Sequence, residues 1–142
     1  MRRLLKLLDL PIAERWLLAE VGLMLLVVRV GLWLVPLGWL RRGLAGRLAR
    51  SARPYVPPER IAWAVNTIAA YIPAASCLTR AVAGQALLAR HGMPARLAIG
   101  VAKDARGRLV AHAWLYIDGH VLIGGDPGDL YTPLPNIEDL LW

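Results

Sequence analysis

The stretch SCLTRAVAGQALLARHGMP, residues 76 to 94, decides the reading of this chain. Pro73-Ala74-Ala75 closes whatever precedes it, and Ser76 is a good N-cap, because its hydroxyl can accept from a backbone N–H that the first helical turn leaves unpaired. A helix is therefore predicted from Cys77 to about Arg90. His91-Gly92-Met93-Pro94 stops it, since Gly takes the left-handed cap conformation and Pro cannot continue a helix. The consequence is chemical: Cys77 stands in the first turn of a helix. There a thiol meets unpaired N–H groups and the positive end of the helix dipole, both of which favour the thiolate, the attacking species.

Working outward, the period changes from 3.6 to two after Pro94. Leu97, Ile99 and Val101 alternate on one face of a strand, and Asp104-Ala-Arg-Gly107 supplies a turn. The next strand runs from Leu109 to Ile117, with Leu109, Ala111, Ala113, Leu115 and Ile117 on one face and Val110, His112, Trp114 and Tyr116 on the other. Asp118-Gly119 signals a hairpin, and Val121 to Ile123 is its return strand. The segment after Gly124-Gly125-Asp126-Pro127 reads as loop followed by a short terminal helical turn.

Upstream, Ile61, Val65, Ile68 and Ile72 recur at helical spacing between Glu59 and Tyr71. Residues 12 to 35 form a longer helix limited by Pro11 and Pro36, and Arg41 to Arg53 is a second, basic amphipathic piece. The prolines at 54, 57 and 58 mark a boundary between a basic, Leu-rich helical segment, residues 1 to 53, and a catalytic part, residues 54 to 142.

Composition narrows the function. The 142 residues suit one domain. Residues 1 to 60 hold 11 Lys/Arg against 4 Asp/Glu, whereas residues 61 to 142 hold 6 against 6, so the whole excess of +7 is N-terminal. Such a segment attracts anionic lipid or acidic peptide, but with Arg set among Leu runs and no nucleic-acid module, no nucleic-acid partner is expected. The 57% hydrophobic content raises the question of a membrane span between Trp16 and Leu40. Glu20, Arg29 and Pro36 interrupt that segment, and a central Arg costs roughly 2.5–3.5 kcal/mol on insertion. Packed helices that touch a membrane or partner are the preferred reading. A single Cys excludes an internal disulfide and fits a reducing, cytoplasmic compartment, with membrane association through the N-terminal helices as a further expectation. No cofactor or metal is expected, and no phosphate loop occurs.

Alone, Cys77 reads first as a small buried hydrophobe, and His112 equally as a packed strand residue or a base. Together, a thiol at a capped helix start and a downstream strand histidine form a candidate nucleophile and general base. His91 at a helix end and His120 at a hairpin have structural explanations. Asp118 lies six residues from His112, about 20 Å along a strand, and cannot orient the imidazole. Asp126 is the expected orienting acid on one hairpin geometry: a three-residue loop 118–120 places it opposite His112, whereas a two-residue turn places Gly125 there unless Gly124-Gly125 forms a bulge. Its alternative role is that of a turn residue before Pro127.

Ser76-Cys77-Leu78-Thr79-Arg80, the helix through Leu87-Leu88-Ala89-Arg90-His91-Gly92, and His112-Ala113-Trp114-Leu115 with Asp118-Gly119 resemble the leader peptidase of lasso-peptide biosynthesis, the transglutaminase-like half of the split lasso B protein. The resemblance covers about Pro73 to Asp126. It implies an α+β, transglutaminase-like (papain-like) cysteine protease core, with the nucleophile's helix packed on a small antiparallel sheet and a helical segment in front. It also implies removal of the leader from a ribosomally made precursor through Cys77, His112 and an acid. In that family the acid lies about a dozen residues after the His, where this chain has Gly124. A precursor peptide, a small leader-recognition protein and an ATP-using lasso cyclase would be the partners. Two other readings use the same residues differently: acyl transfer to an amine, as in true transglutaminases, and a non-catalytic membrane-associated adaptor.

Overall fold

A computed structural model describes residues 2–48, 53–125 and 131–134. Five helices come first: α1 (Arg2–Leu8), α2 (Ile12–Leu34), α3 (Leu37–Leu48), α4 (Pro58–Ala69) and α5 (Cys77–Arg90). Four strands follow, β1 (Arg96–Lys103), β2 (Leu109–Ile117), β3 (His120–Ile123) and β4 (Thr132–Pro133). The fold is α+β, as expected.

Helix α5 begins at Cys77 because Ser76 caps it: the Ser76 Oγ accepts from the Thr79 N–H at 3.2 Å. It ends in a full Schellman motif, in which Met93 N–H donates to Leu88 O at 2.8 Å and Gly92 N–H to Ala89 O at 3.1 Å, with Gly92 at φ +80°. Between these ends Ala81, Val82, Ala83, Gly84, Ala86, Leu87 and Leu88 are all buried. So many small residues let neighbours approach on every side. A Cβ on Gly84 would lie 2.5 Å from Ile123 Cδ1, which measures how closely the helix sits on the sheet. Leu87 and Leu88, fully buried, each contribute about 1.5–3 kcal/mol of apolar transfer.

The sheet is antiparallel in the order β3-β2-β1-β4. β1 and β2 pair from Arg96↔Tyr116 to Lys103↔Leu109, and the Asp104 carboxylate accepts from the N–H groups of Arg106 and Arg108 to close their turn. Ile117 pairs with His120, so the second turn has two residues, Asp118 and Gly119, both at positive φ as a type I′ hairpin requires. One residue further on the register slips: Tyr116 faces Val121 but Leu115 faces Ile123, leaving Leu122 as a bulge. Of the two hairpin geometries weighed from sequence, the shorter turn is present, and its bulge lies at Leu122 rather than at the glycines.

Ala113, Leu115 and Ile123 face α5, and α2 and α4 pack on the helix's other sides. Leu17, Val21, Leu25 and Val28 of α2 enter the same core as Ile61 and Val65 of α4. An ion pair between Glu20 and Arg90, at 3.1 Å, links α2 to the end of α5. The neighbouring His91 is buried, with Nδ1 2.7 Å from Pro54 O, the structural role expected of it.

Two elements went unread in the sequence. Helix α1 is too short for periodicity to register, and β4 is a two-residue edge strand that contains Pro133 and pairs only with Gly100 and Val101. The basic helical piece expected from Arg41 to Arg53 starts earlier, at Leu37, directly after Pro36. The expected terminal helical turn lies outside the described residues.

Candidate active site

Cys77, half-buried, begins α5 behind a tight approach segment: Ala74 holds φ +59°, a left-handed conformation that costs an alanine about 1–2 kcal/mol. Of the first-turn N–H groups, Thr79's donates to the Ser76 side chain and Arg80's to Ser76 O, and those of Cys77 and Leu78 point out of the helix start with no partner among the described residues.

His112 comes from the middle of β2, opposite Gly100 of β1. Its ring lies against two aromatic rings. Trp114 stacks on it at 5.9 Å between centroids, and Tyr131 lies tilted against it at 5.3 Å. Trp114 is itself buried, in a slot made by glycines: a Cβ on Gly100 would lie 2.6 Å from its ring, and one on Gly124 2.8 Å from its Cβ. The third restraint is a hydrogen bond, 2.6 Å, between His112 Nε2 and the carbonyl oxygen of Gly124. A carbonyl only accepts, so Nε2 carries the proton and Nδ1 is the basic nitrogen.

Cys77 and His112 line one cavity of about 480 Å³, together with Asn66, Ala75, Arg80 and residues 122–125. The structure thus brings together the two residues that sequence reading singled out. Asp126, the third, lies outside the described residues. Gly124, at the position where the resemblance led one to expect an acid, supplies the orienting group through its main chain. Among the described residues, no three His, Cys, Asp or Glu side chains are grouped as metal ligands would be.

Three further residues belong to this site. Arg80, three residues after Cys77, lines the cavity on the same side of α5, and its buried Nε has no hydrogen-bond partner among the described residues. The i, i+3 spacing could have revealed it. Asn66 brings a side-chain amide from α4, where an exposed Asn inside a helix is a poor helix former and hence a mild signal. Tyr131 had no signal in the sequence, because only β4 pairing brings its segment to His112.

A helix-start thiol and a strand histidine of fixed tautomer that line one cavity are the parts of an acyl-transfer site. The family model of the transglutaminase-like superfamily matches residues 17–136. The chain belongs to the transglutaminase-like superfamily. This superfamily includes cysteine peptidases and acyltransferases, and its match runs across both the helical segment and the sheet of this member. No curated protein and no solved structure gave a match.

Proposed function

We propose that this transglutaminase-like protein is a cysteine peptidase that removes the leader from a ribosomally synthesised lasso precursor peptide. The observation that carries the reading is the convergence of Cys77 and His112 on one cavity, with His112 Nε2 tied to Gly124 O so that Nδ1 is the nitrogen left to exchange a proton. The sequence resemblance supplies the substrate class.

In the proposed reaction His112 Nδ1 takes the Cys77 proton and the sulfur attacks the last leader carbonyl carbon, moving the C=O electron pair onto oxygen. The Cys77 N–H and the Asn66 amide are the donors that meet this oxyanion, a role worth roughly 3 kcal/mol per donor. As the tetrahedral species collapses, the C–N bond breaks and His112 passes its proton to the leaving amine. A water, deprotonated by His112, then adds to the thioester, and the C–S bond breaks to release leader acid and thiol. Gly124 O holds the imidazole, and Asp126 contributes negative charge that stabilises the imidazolium. Arg80, whose buried Nε has no hydrogen-bond partner among the described residues, takes a carbonyl or carboxylate oxygen of the peptide. The precursor is presented by a small leader-recognition protein and passed to the cyclase, in the reducing cytoplasm where the thiol stays free.

Purified protein, precursor and recognition protein are expected to release a leader whose mass shows one added water. Intact precursor with wild type, or equal cleavage by Cys77→Ala, contradicts the proposal. A product carrying an added amine instead of water identifies an acyltransferase.

A further inference from the structure

Helix α2 is apolar on both sides. Its inner face, with Val21, Leu25 and Val28, is fully buried in the core. Its outer face repeats Trp16, Leu23, Leu26, Val30, Trp33 and Leu34 at helical spacing, all exposed, with Trp16 at 72% and Trp33 at 79%. A helix on the surface of a water-soluble domain ordinarily turns a polar face outward. The charged residues of α2 each have an internal partner. Glu14 pairs with Arg60, Arg15 Nε donates to Leu10 O at 2.9 Å, Glu20 pairs with Arg90, and Arg29 lies 5.0 Å over the Trp33 ring. Leu5 and Leu8 of α1 and Trp39 of α3, the helices on either side of α2 in the chain, are exposed as well.

We infer that this face of α1–α3 is a binding surface for an anionic lipid bilayer, which the protein enters in plane and does not cross. The buried inner face excludes a crossing while the fold is intact, since Leu17, Val21, Leu25 and Val28 cannot both meet lipid and pack on α4 and α5. The charge distribution selects the occupant. Residues 1 to 60 carry 11 Lys/Arg against 4 Asp/Glu, and two of those acids, Glu14 and Glu20, are paired internally. The two helices that flank α2 in the chain are both basic, α1 (RRLLKLL) and α3 (LGWLRRGLAGRL), where Arg41 also donates to Gln85 Oε1 at 3.1 Å. A second copy laid stripe to stripe would set basic end against basic end in parallel and antiparallel alignment alike. An anionic membrane offers an apolar layer for Leu and Val, an interface for Trp, and negative headgroups that complement the net positive charge of this segment.

The test is co-sedimentation of the full-length protein with vesicles of phosphatidylcholine alone and of phosphatidylcholine with 30 mol% phosphatidylglycerol. The protein is expected to pellet with the anionic vesicles, with a blue shift in Trp emission, and to bind at least tenfold less to the neutral ones. Leu23→Glu/Val30→Glu, at two exposed positions, should lower anionic-vesicle binding at least tenfold and leave the melting temperature and Cys77 alkylation rate unchanged. Failure of the wild type to bind anionic vesicles overturns the inference. Equal binding by the double variant, or a wild-type dimer in light scattering that the double variant dissociates, also overturns it. Because alkylation at Cys77 is read separately, loss of vesicle binding is distinguishable from failure of the proposed peptidase.

Discussion

Replacing Gly124 with Ala should disable the site without touching either reacting side chain. Gly124 holds φ +105°, a conformation costing an alanine about 1–3 kcal/mol. The added Cβ would also lie 2.8 Å from Ala113 O and 2.8 Å from Trp114 Cβ. Carbon contacts settle near 3.5–4.0 Å, so the residue must retreat by roughly 0.7–1 Å. The His112 Nε2 to Gly124 O bond is 2.6 Å. A retreat of that size takes it past the range of a good hydrogen bond, forfeiting about 0.5–1.5 kcal/mol of orientation, and a misplacement near 1 Å costs a reacting group up to about 10²-fold. Iodoacetamide alkylation at neutral pH reads this directly, because the chain has a single cysteine. A drop of about 10–100-fold in alkylation and in precursor cleavage is expected, measured where the variant is still folded by circular dichroism. Gly125→Ala is the control for backbone strain alone: at φ +71° the alanine costs about 1–2 kcal/mol, but its Cβ meets nothing within 4 Å, so alkylation measured on the folded protein should fall far less than in Gly124→Ala. A Gly124→Ala protein that melts and alkylates like wild type would refute the assignment of the Gly124 carbonyl as the group that holds His112.

Four more outcomes follow from the same geometry. Asp126→Asn should reduce precursor cleavage about tenfold; a loss near the roughly 10⁴-fold seen when an acid alone fixes the histidine tautomer would show that the acid, and not the carbonyl, orients His112. Asn66→Ala, at an exposed position, should lower kcat by about 10²–10³-fold with an unchanged melting temperature, and an unchanged kcat would remove Asn66 from the oxyanion site. Ser76→Ala removes the cap of α5 and should cost about 1 kcal/mol, a fall of roughly 3–5 °C in thermal denaturation. Arg80→Met should raise KM for the precursor about tenfold or more while Arg80→Lys recovers part of it; equal kinetics for both and the wild type would show that Arg80 does not meet the peptide.

Much of this architecture was legible because its signals are local. Capping chemistry at Ser76, the stop at Gly92-Met93-Pro94 and the change of period after it located α5 and β1 within a residue or two. Asp118-Gly119 located the hairpin, since few dipeptides accept two successive positive φ values. Periodicity placed Ala113 and Leu115 in the core but did not show that Trp114, on the opposite face, is buried as well. Its cover comes from Gly100 on β1, Gly124 just after β3 and Tyr131 just before β4, each 10 to 17 residues away along the chain.

The site divides the same way. The sequence by itself determined that the thiol stands at a helix start and that His112 occupies the middle of a strand, because capping and alternation depend on neighbours within a few residues. Only the tertiary structure decided how His112 is held. A bulge at Leu122 shifts the β2–β3 pairing by one residue, and a main-chain carbonyl, which every residue possesses and no sequence pattern marks, turns toward Nε2. Side-chain chemistry can be read along the chain, whereas the direction of a carbonyl follows from backbone torsions that strand pairing sets.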